Sequence, residues 1–277
     1  MAVVLITGCS SGIGLLTALH FARKGDTVYA SMRNTAKAGE LEKARQAESL
    51  PIEVIQLDVT DEGSVARAVK QIMDGAGRID VLVNNAGLAH LGPMEETDDD
   101  ELKEIFETNF FGAMRVTRAV APHMREQRSG TIVNISSMAA VVTVPFRGVY
   151  SATKRALEAA SESFRYELHS FGVRVLIIEP GGFDTKMDDN GRVPRRFTDR
   201  SPYAETEKRY AAVLAQIPAA NERGDARAVA ELIYNAVQEE QPKVRYVIGR
   251  DAELVAGARQ QLDDEQFEQG ILQSLGV

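Results

Sequence analysis

The chain has one cysteine, no tryptophan and only four histidines. A lone Cys9 excludes an internal disulfide framework and a cysteine-based metal cluster. The histidines, at 20, 90, 123 and 169, show no ligand spacing, so no structural zinc is expected. No apolar run approaches the roughly 20 residues that a membrane helix needs, and the N-terminal AVVLITG is short and lacks a cationic lead. These features predict a soluble, cytoplasmic protein without a membrane span. Basic charge is also in deficit: 32 Lys and Arg stand against 40 Asp and Glu, and no long basic run offsets the net charge of -8. Such a surface repels a phosphate backbone, which argues against a nucleic-acid partner. The 277 residues, 44% hydrophobic, suffice for one large core, and a single domain over residues 1–277 is expected.

Short β-branched apolar runs recur along the chain: VVLIT from Val3, TVYAS from Thr27, IEVIQL from Ile52, VLVN from Val81, TIVNIS from Thr131, VRVLII from Val173 and VRYVIG from Val244. Stretches of helical period separate them, among them GLLTALHFARKG, SVARAVKQIMDG and ELKEIFETNFFGAMRVTRAVAPHM. Strand alternating with helix predicts an α/β fold: one doubly wound, Rossmann-type, seven-stranded and mostly parallel sheet with helices on both faces. In such sheets ligands bind beyond the carboxyl ends of the strands. Thr97 and Asp100 are spaced as a capping box, which makes the acidic run EETDDDE a structural helix start. Between about 181 and 223 the periodicity fails; a connection this long is expected to be a functional lid or disordered. A polar tail is expected over about 250–277.

The first strand runs straight into TGCSSGIG, which places Gly8, Gly12 and Gly14 where a helix begins. A pyrophosphate requires a tight turn, close backbone approach and free N–H groups at a helix N-terminus, and this junction offers all three. After the second strand, where NAD-binding chains present a carboxylate to the ribose, the sequence reads VYASMRN. Arg33 can pair there with a 2′-phosphate, assisted by the Ser11 hydroxyl, so NADP(H) is the expected cofactor. The plainer alternative is a solvated surface arginine.

In GVYSATKRALE, Tyr150 and Lys154 stand four residues apart and share one face of a predicted helix. Together with the nucleotide loop, this series of motifs from Val3 to Thr185 resembles the short-chain dehydrogenase/reductase family in its non-extended form. The segments TGCSSGIG, VYASMR and AGLAHLGPMEE look most like its hydroxysteroid and retinol dehydrogenase branch. The resemblance implies cofactor contacts from Gly8, Ser10, Ser11, Gly12, Ile13 and Gly14 in the first loop, and from Asp58 and Val59 in LDVT. It implies others from Asn85, Ala86 and Gly87 in VLVNNAG, from Tyr150 and Lys154, and from Pro180, Gly181, Phe183 and Thr185 on the nicotinamide side. By the same resemblance, Asn109, Ser137, Tyr150 and Lys154 form a catalytic tetrad, and the long helices around 106–124 and 150–171 pair subunits into a homodimer or homotetramer.

A carbonyl that accepts hydride needs a proton as charge grows on its oxygen, and Tyr150 is the expected donor. A free phenol titrates at about 10; a nearby Lys154 cation favours its ionised form, and the family pattern has that lysine hold the nicotinamide ribose as well. Ser137, thirteen residues before Tyr150, would fix the substrate oxygen, with Ser136 as its rival. Asn109 is either a helix-packing amide or, by the resemblance, part of a water-mediated proton relay through Lys154. Leu88, His90, Leu91, Met138, Val144, Phe146, Phe183 and Met187 follow strand ends and suggest an apolar pocket for a hydrophobic alcohol or ketone, although each side chain alone would serve equally in ordinary core packing, and His90 as a loop histidine. Steroid, retinoid, aryl ketone and ketoacyl substrates all remain open. The competing readings are a non-catalytic NADP-binding regulatory protein and a sugar-nucleotide epimerase of the extended branch.

Overall fold

The computed structural model describes residues 1–187, 189–216 and 222–275; Asp188 and 217–221, which fall within the stretch read as a lid, lie outside the described residues. Seven parallel strands form one sheet: β1 (Val3–Ile6), β2 (Thr27–Met32), β3 (Ile52–Gln56), β4 (Val81–Asn84), β5 (Gly130–Ile135), β6 (Val173–Pro180) and β7 (Arg245–Ile248). Their spatial order is β3-β2-β1-β4-β5-β6-β7. The winding reverses between β1 and β4, so the ligand crevice of a doubly wound sheet opens there.

Eleven α-helices accompany these strands among the described residues: α1 (Gly12–Arg23), α2 (Gly39–Glu48), α3 (Glu62–Ala76), α4 (Asp99–Phe106), α5 (Ala113–Gln127), α6 (Met138–Val141), α7 (Gly148–His169), α8 (Ala204–Leu214), α9 (Ala226–Gln238), α10 (Arg250–Gln261) and α11 (Asp264–Leu275). Alternation along β1 divides the core. Val4 and Ile6 pack with Leu15, Phe21, Leu41 and Ile233 of α1, α2 and α9, whereas Val3 and Leu5 pack with Val69, Ile72, Val116 and Met124 of α3 and α5. Both faces are therefore buried, which is why the strands read as continuous apolar runs. Polar caps set the helix starts: the Asp61 carboxylate accepts from the N–H groups of Gly63 and Ser64 at α3, and Asp225 accepts from Arg227 at α9.

Three local features depart from the sequence expectation. The cap of α4 lies one residue later than proposed: Asp98 is the N-cap and its N–H donates to Glu101 at 3.0 Å. Thr97 is unavailable because its hydroxyl donates to the Pro93 carbonyl at 3.0 Å, and Asp100 is engaged by Arg195. The long helix expected from 101 to 124 is interrupted by a π-helical segment, Glu107–Gly112. Finally, the polar stretches hold structure of their own, with α8 in the lid region and α10 and α11 in the C-terminal part.

Candidate active site

The crevice is closed at its floor by a threonine. Thr7 directly follows β1, and its hydroxyl oxygen accepts from the N–H groups of Asn85 and Ala86, both at 3.0 Å. Asn85 answers by donating its side-chain amide to the carbonyls of Thr7 at 2.9 Å and Gly8 at 3.2 Å. The loops after β1 and β4 are thereby tied across the switch point. This contact leaves no space for larger residues: a Cβ on Gly14 would lie 2.4 Å from the Asn85 amide nitrogen and 2.5 Å from the Gly8 carbonyl oxygen. Gly8 itself has φ +74°, which favours glycine. Ser11 caps α1 in extended conformation without a side-chain cap bond, and the first turn of that helix carries no acidic residue. The turn suits an anion, as a pyrophosphate site requires. Cys9 beside it is fully buried and its thiol lies 3.2 Å from the Ile6 carbonyl; burial pushes its pKa well up, so it is inert packing.

The cleft extends from this loop to the β2 end, where Met32, Arg33 and Lys37 line it. Lys37 comes from a short 3-10 turn, Thr35–Lys37, that the Asn34 side chain caps by accepting from Ala36. Two cations thus border the place where an adenosine ribose would sit. Opposite them lie Leu57, Asp58, Val59 and Thr60, and Asp58 is oriented by accepting from the Thr60 N–H at 3.0 Å and hydroxyl at 2.8 Å.

At the other end stand the residues proposed for chemistry. Tyr150 and Lys154 lie on one face of α7, with the ammonium 5.7 Å from the centroid of the tyrosine ring. Lys154 is buried and donates to the Ile135 carbonyl at the end of β5, 2.8 Å away. Burial lowers its pKa to about 8, and Glu158 one turn further along α7 opposes that shift. The two serines at the end of β5 have separate engagements. Ser136 is buried and donates to Glu158 at 2.5 Å, whereas Ser137 is partly open and caps α6 by accepting from Ala139 at 3.2 Å. Asn109, in the π-helical segment, accepts from the Leu88 N–H at 2.7 Å and donates to the Leu88 carbonyl at 2.9 Å and the Thr153 hydroxyl at 3.2 Å. Its side chain fastens the loop after β4 to α7. Beneath it, Asn84 donates to Asn134 at 2.8 Å and Thr117 at 2.9 Å, and Asn134 donates to Ser161 at 2.7 Å, a buried polar ladder across β4, β5 and α7.

The segment after β6 crosses over this end. Thr185 lies against Gly12, and the Met187 sulfur is 3.8 Å from the Tyr150 hydroxyl. Further on, Arg192 exchanges backbone hydrogen bonds with the segment after β4, bonding to Ala89 and Leu91, both at 2.9 Å. Its guanidinium reaches Glu104 at 2.8 Å, and Arg195 pairs with Asp100 at 2.8 Å and bonds through its N–H to Glu101 at 2.9 Å. Ser201 donates to Glu96, and Tyr203 to Glu95. The acidic run read as a helix start is therefore also the seat of this segment.

Of the residues expected to touch cofactor, Gly8, Ser10, Ser11, Gly12, Ile13, Arg33, Asp58, Val59, Asn85, Ala86, Gly87 and Thr185 line one continuous cleft. Gly14 lies beneath it as packing. Gly181 faces the Asp251 carboxylate, which accepts from the Gly182 N–H at 2.7 Å, and the Phe183 ring is buried against Gly224. Neither of these two borders the cleft, nor do Pro180, Tyr150 and Lys154, although Met187, which does, lies 3.8 Å from the Tyr150 hydroxyl. Among the apolar pocket candidates, His90 is fully buried beside Thr97, and Phe146 stacks on Phe197 of the segment after β6 at 6.4 Å. Thr7 and Lys37 escaped the sequence reading. Lys37 had a signal, a second cation four residues after Arg33; Thr7 had none beyond its place at a strand end.

Comparison with known proteins agrees with this arrangement. The family model described as short chain dehydrogenase matches residues 2–195. The chain is 38% identical over 204 residues to a 3-ketodihydrosphingosine reductase of Bacteroides thetaiotaomicron, covering 74% of this chain and 72% of that one. It is 36% identical over 252 residues to the 17-beta-hydroxysteroid dehydrogenase type 1 of Homo sapiens, covering 88% and 76%. A short-chain dehydrogenase structure from Streptomyces avermitilis superposes with a TM-score of 0.81 at 36% identity, over 94% of this chain and 92% of that one. With the β1 glycine loop, the switch-point crevice and the Tyr-Lys pair in place, the chain belongs to the short-chain dehydrogenase family.

Proposed function

We propose that this oxidoreductase uses NADP(H) to interconvert a hydrophobic secondary alcohol and its ketone, with Tyr150 as general acid and base. The observation that carries the reading is the Tyr150–Lys154 pair directly behind Gly87 and Met187, which line one end of a cleft whose far wall holds Arg33 and Lys37. The cradle fits a dinucleotide: Gly8 and Gly14, lacking a Cβ, let the first loop close onto Asn85 and Ala86 and stay tight, and the α1 N-terminus faces the cleft above it. Arg33 and Lys37 would hold a 2′-phosphate, and the Ser11 hydroxyl lies in the same cleft. When bound, the nicotinamide supplies or accepts the hydride.

The chain's own residues supply the rest. Tyr150 gives its proton to the substrate oxygen in reduction and takes it back in oxidation. Ser137, free of the Glu158 contact that holds Ser136, hydrogen-bonds that oxygen and shares its developing charge. Lys154 holds positive charge beside the phenol and binds the cofactor ribose. Asn109 keeps the Leu88 loop and α7 in register, so that the proton path through Lys154 has fixed geometry. The substrate enters under the segment that carries Met187. Relatives that act on a steroid and on a ketosphingoid base support a large apolar substrate. By the same family resemblance, α4, α5 and α7 pair subunits into a homo-oligomer.

NADPH oxidation, followed by absorbance against a panel of steroid, aryl and long-chain ketones, tests the reading. Turnover with at least one ketone that is lost in Tyr150→Phe is expected. NADPH binding with no turnover across the panel would favour a regulatory protein instead.

A further inference from the structure

Behind Lys154 lies a cluster of charge that the proposed reaction does not use. Glu158, one turn along α7, is buried, and both of its carboxylate oxygens are engaged. One accepts from the Ser136 hydroxyl at 2.5 Å and the other faces the Arg245 guanidinium at 3.4 Å. Arg245 opens β7 and is shared with Glu179 of β6, at 3.1 Å, and with Glu162 of α7. Two cations, Lys154 and Arg245, thus meet three carboxylates, Glu158, Glu162 and Glu179, near the ends of β5 and β6 and the start of β7. A buried polar pair this well engaged has a fixed charge position rather than a mobile one.

Position along the helix gives that charge a direction. Glu158 follows Lys154 by four residues, the spacing that stacks side chains on one face. The lysine's other partner, the Ile135 carbonyl, is neutral, and its seat is nearly free of water. A buried ammonium loses its hydration and must find compensating negative charge nearby. Among the groups facing it, Glu158 is the anion that acts on it, while Glu162 and Glu179 are turned to Arg245.

We propose that Glu158 is a positioning residue for the family reaction: its carboxylate, pinned by Ser136 and Arg245, keeps Lys154 cationic in its buried seat. The inference rests on the proposed role of Lys154. It assigns Ser136 a purpose as well, since that serine anchors the anion while its neighbour Ser137 stays partly open.

The test is the titration of Lys154 itself, followed by NMR on enzyme labelled at the lysine side chains, with the pH dependence of NADPH binding measured by its fluorescence. Glu158→Gln keeps the shape and can still accept from Ser136. In that variant the Lys154 midpoint should fall by about one pH unit, and the alkaline loss of NADPH affinity should begin correspondingly earlier. Glu158→Asp, with its carboxylate one methylene further back, should shift the midpoint by part of that amount and serves alone if the glutamine variant does not fold. A midpoint unmoved in whichever variant folds overturns the proposal, because a purely structural role alters stability and leaves the titration in place. The lysine titration needs neither cofactor nor substrate. If Tyr150→Phe retained full turnover, the proposed function would fail while Glu158 remained tested.

Discussion

The Lys154 ammonium and the Ile135 carbonyl lie 2.8 Å apart at the buried end of β5, and the burial of the lysine in this seat sets the pH range of the site. Its lowered pKa, about 8, means that the lysine loses its charge near pH 8 instead of above 10. The side chain is cationic below that value and neutral above it. NADPH affinity should therefore be constant at pH 6 to 7 and weaken as pH rises through about 8. Binding that stays unchanged up to pH 10 would contradict this.

The cations at the β2 end predict cofactor choice. Arg33→Glu should lower kcat/KM with NADPH by about 10- to 100-fold, the loss expected for charge-assisted hydrogen bonds, and raise the relative use of NADH. Lys37→Ala should act in the same direction more weakly. Wild-type enzyme that uses NADH as well as NADPH would refute the assignment of both residues.

Gly14→Ala probes the floor of the crevice. Its methyl group would overlap the Gly8 carbonyl, which is backbone, and the Asn85 amide, which is held by its bonds to the Thr7 and Gly8 carbonyls. Overpacking of this kind costs about 1–3 kcal/mol, so the melting temperature should drop by several degrees and NADPH binding should weaken with it. Calorimetry with and without NADPH separates the two effects.

Glu179 carries the opposite sign to an ordinary surface acid. Burial and the neighbouring Glu158 raise its pKa to about 7, with Arg245 opposing. The native state then binds the proton more tightly than the unfolded chain does. Its contribution to stability is full below about pH 4.5 and is lost as pH rises through 7. Glu179→Gln should accordingly melt higher than wild type at pH 8 and gain nothing at pH 4.5. A gain that is equal at both pH values would show that the carboxylate is not strained by its neighbours.

The ion pairs of Arg195, in the segment proposed as a lid, are largely exposed, so they contribute little to global stability. Arg195→Ala should leave the melting temperature almost unchanged, yet raise KM for a bulky ketone and speed proteolysis between residues 185 and 203. About 0.5 M salt, which screens such pairs, should produce the same changes in wild type. Kinetics insensitive to both would mean that the lid is held by its backbone bonds alone.

How much of this was legible beforehand depended on the range of the forces involved. The strands and the glycine loop were readable because burial on both faces writes a continuous apolar run, and Gly8 and Gly14 mark a backbone contact that admits nothing larger. The lid was not, since Arg195 finds Asp100 across 95 residues of chain and neither carries a local pattern. Thr7 was invisible for a similar reason: its function is two hydrogen bonds to a loop almost 80 residues away. The cap of α4 was misplaced by one residue because Thr97, Asp98 and Asp100 are all good caps by type, and only the competing partners Pro93 and Arg195 decide among them.

The π-helical segment has the composition of an ordinary helix, and its consequence concerns chain length. Residues in an α-helix follow one another at about 100° intervals, so a single residue added or removed swings everything beyond it by that angle. Asn109 meets Leu88 and Thr153 while α5 still presents Val116, Val120 and Met124 to the sheet, because the wider turn absorbs the mismatch. Were the segment wound as regular α-helix at this length, the chain would have to choose between the amide and the core, though no contacting side chain need be altered. A feature of this kind is kept by counting residues, and substitution scans that preserve length would never find it.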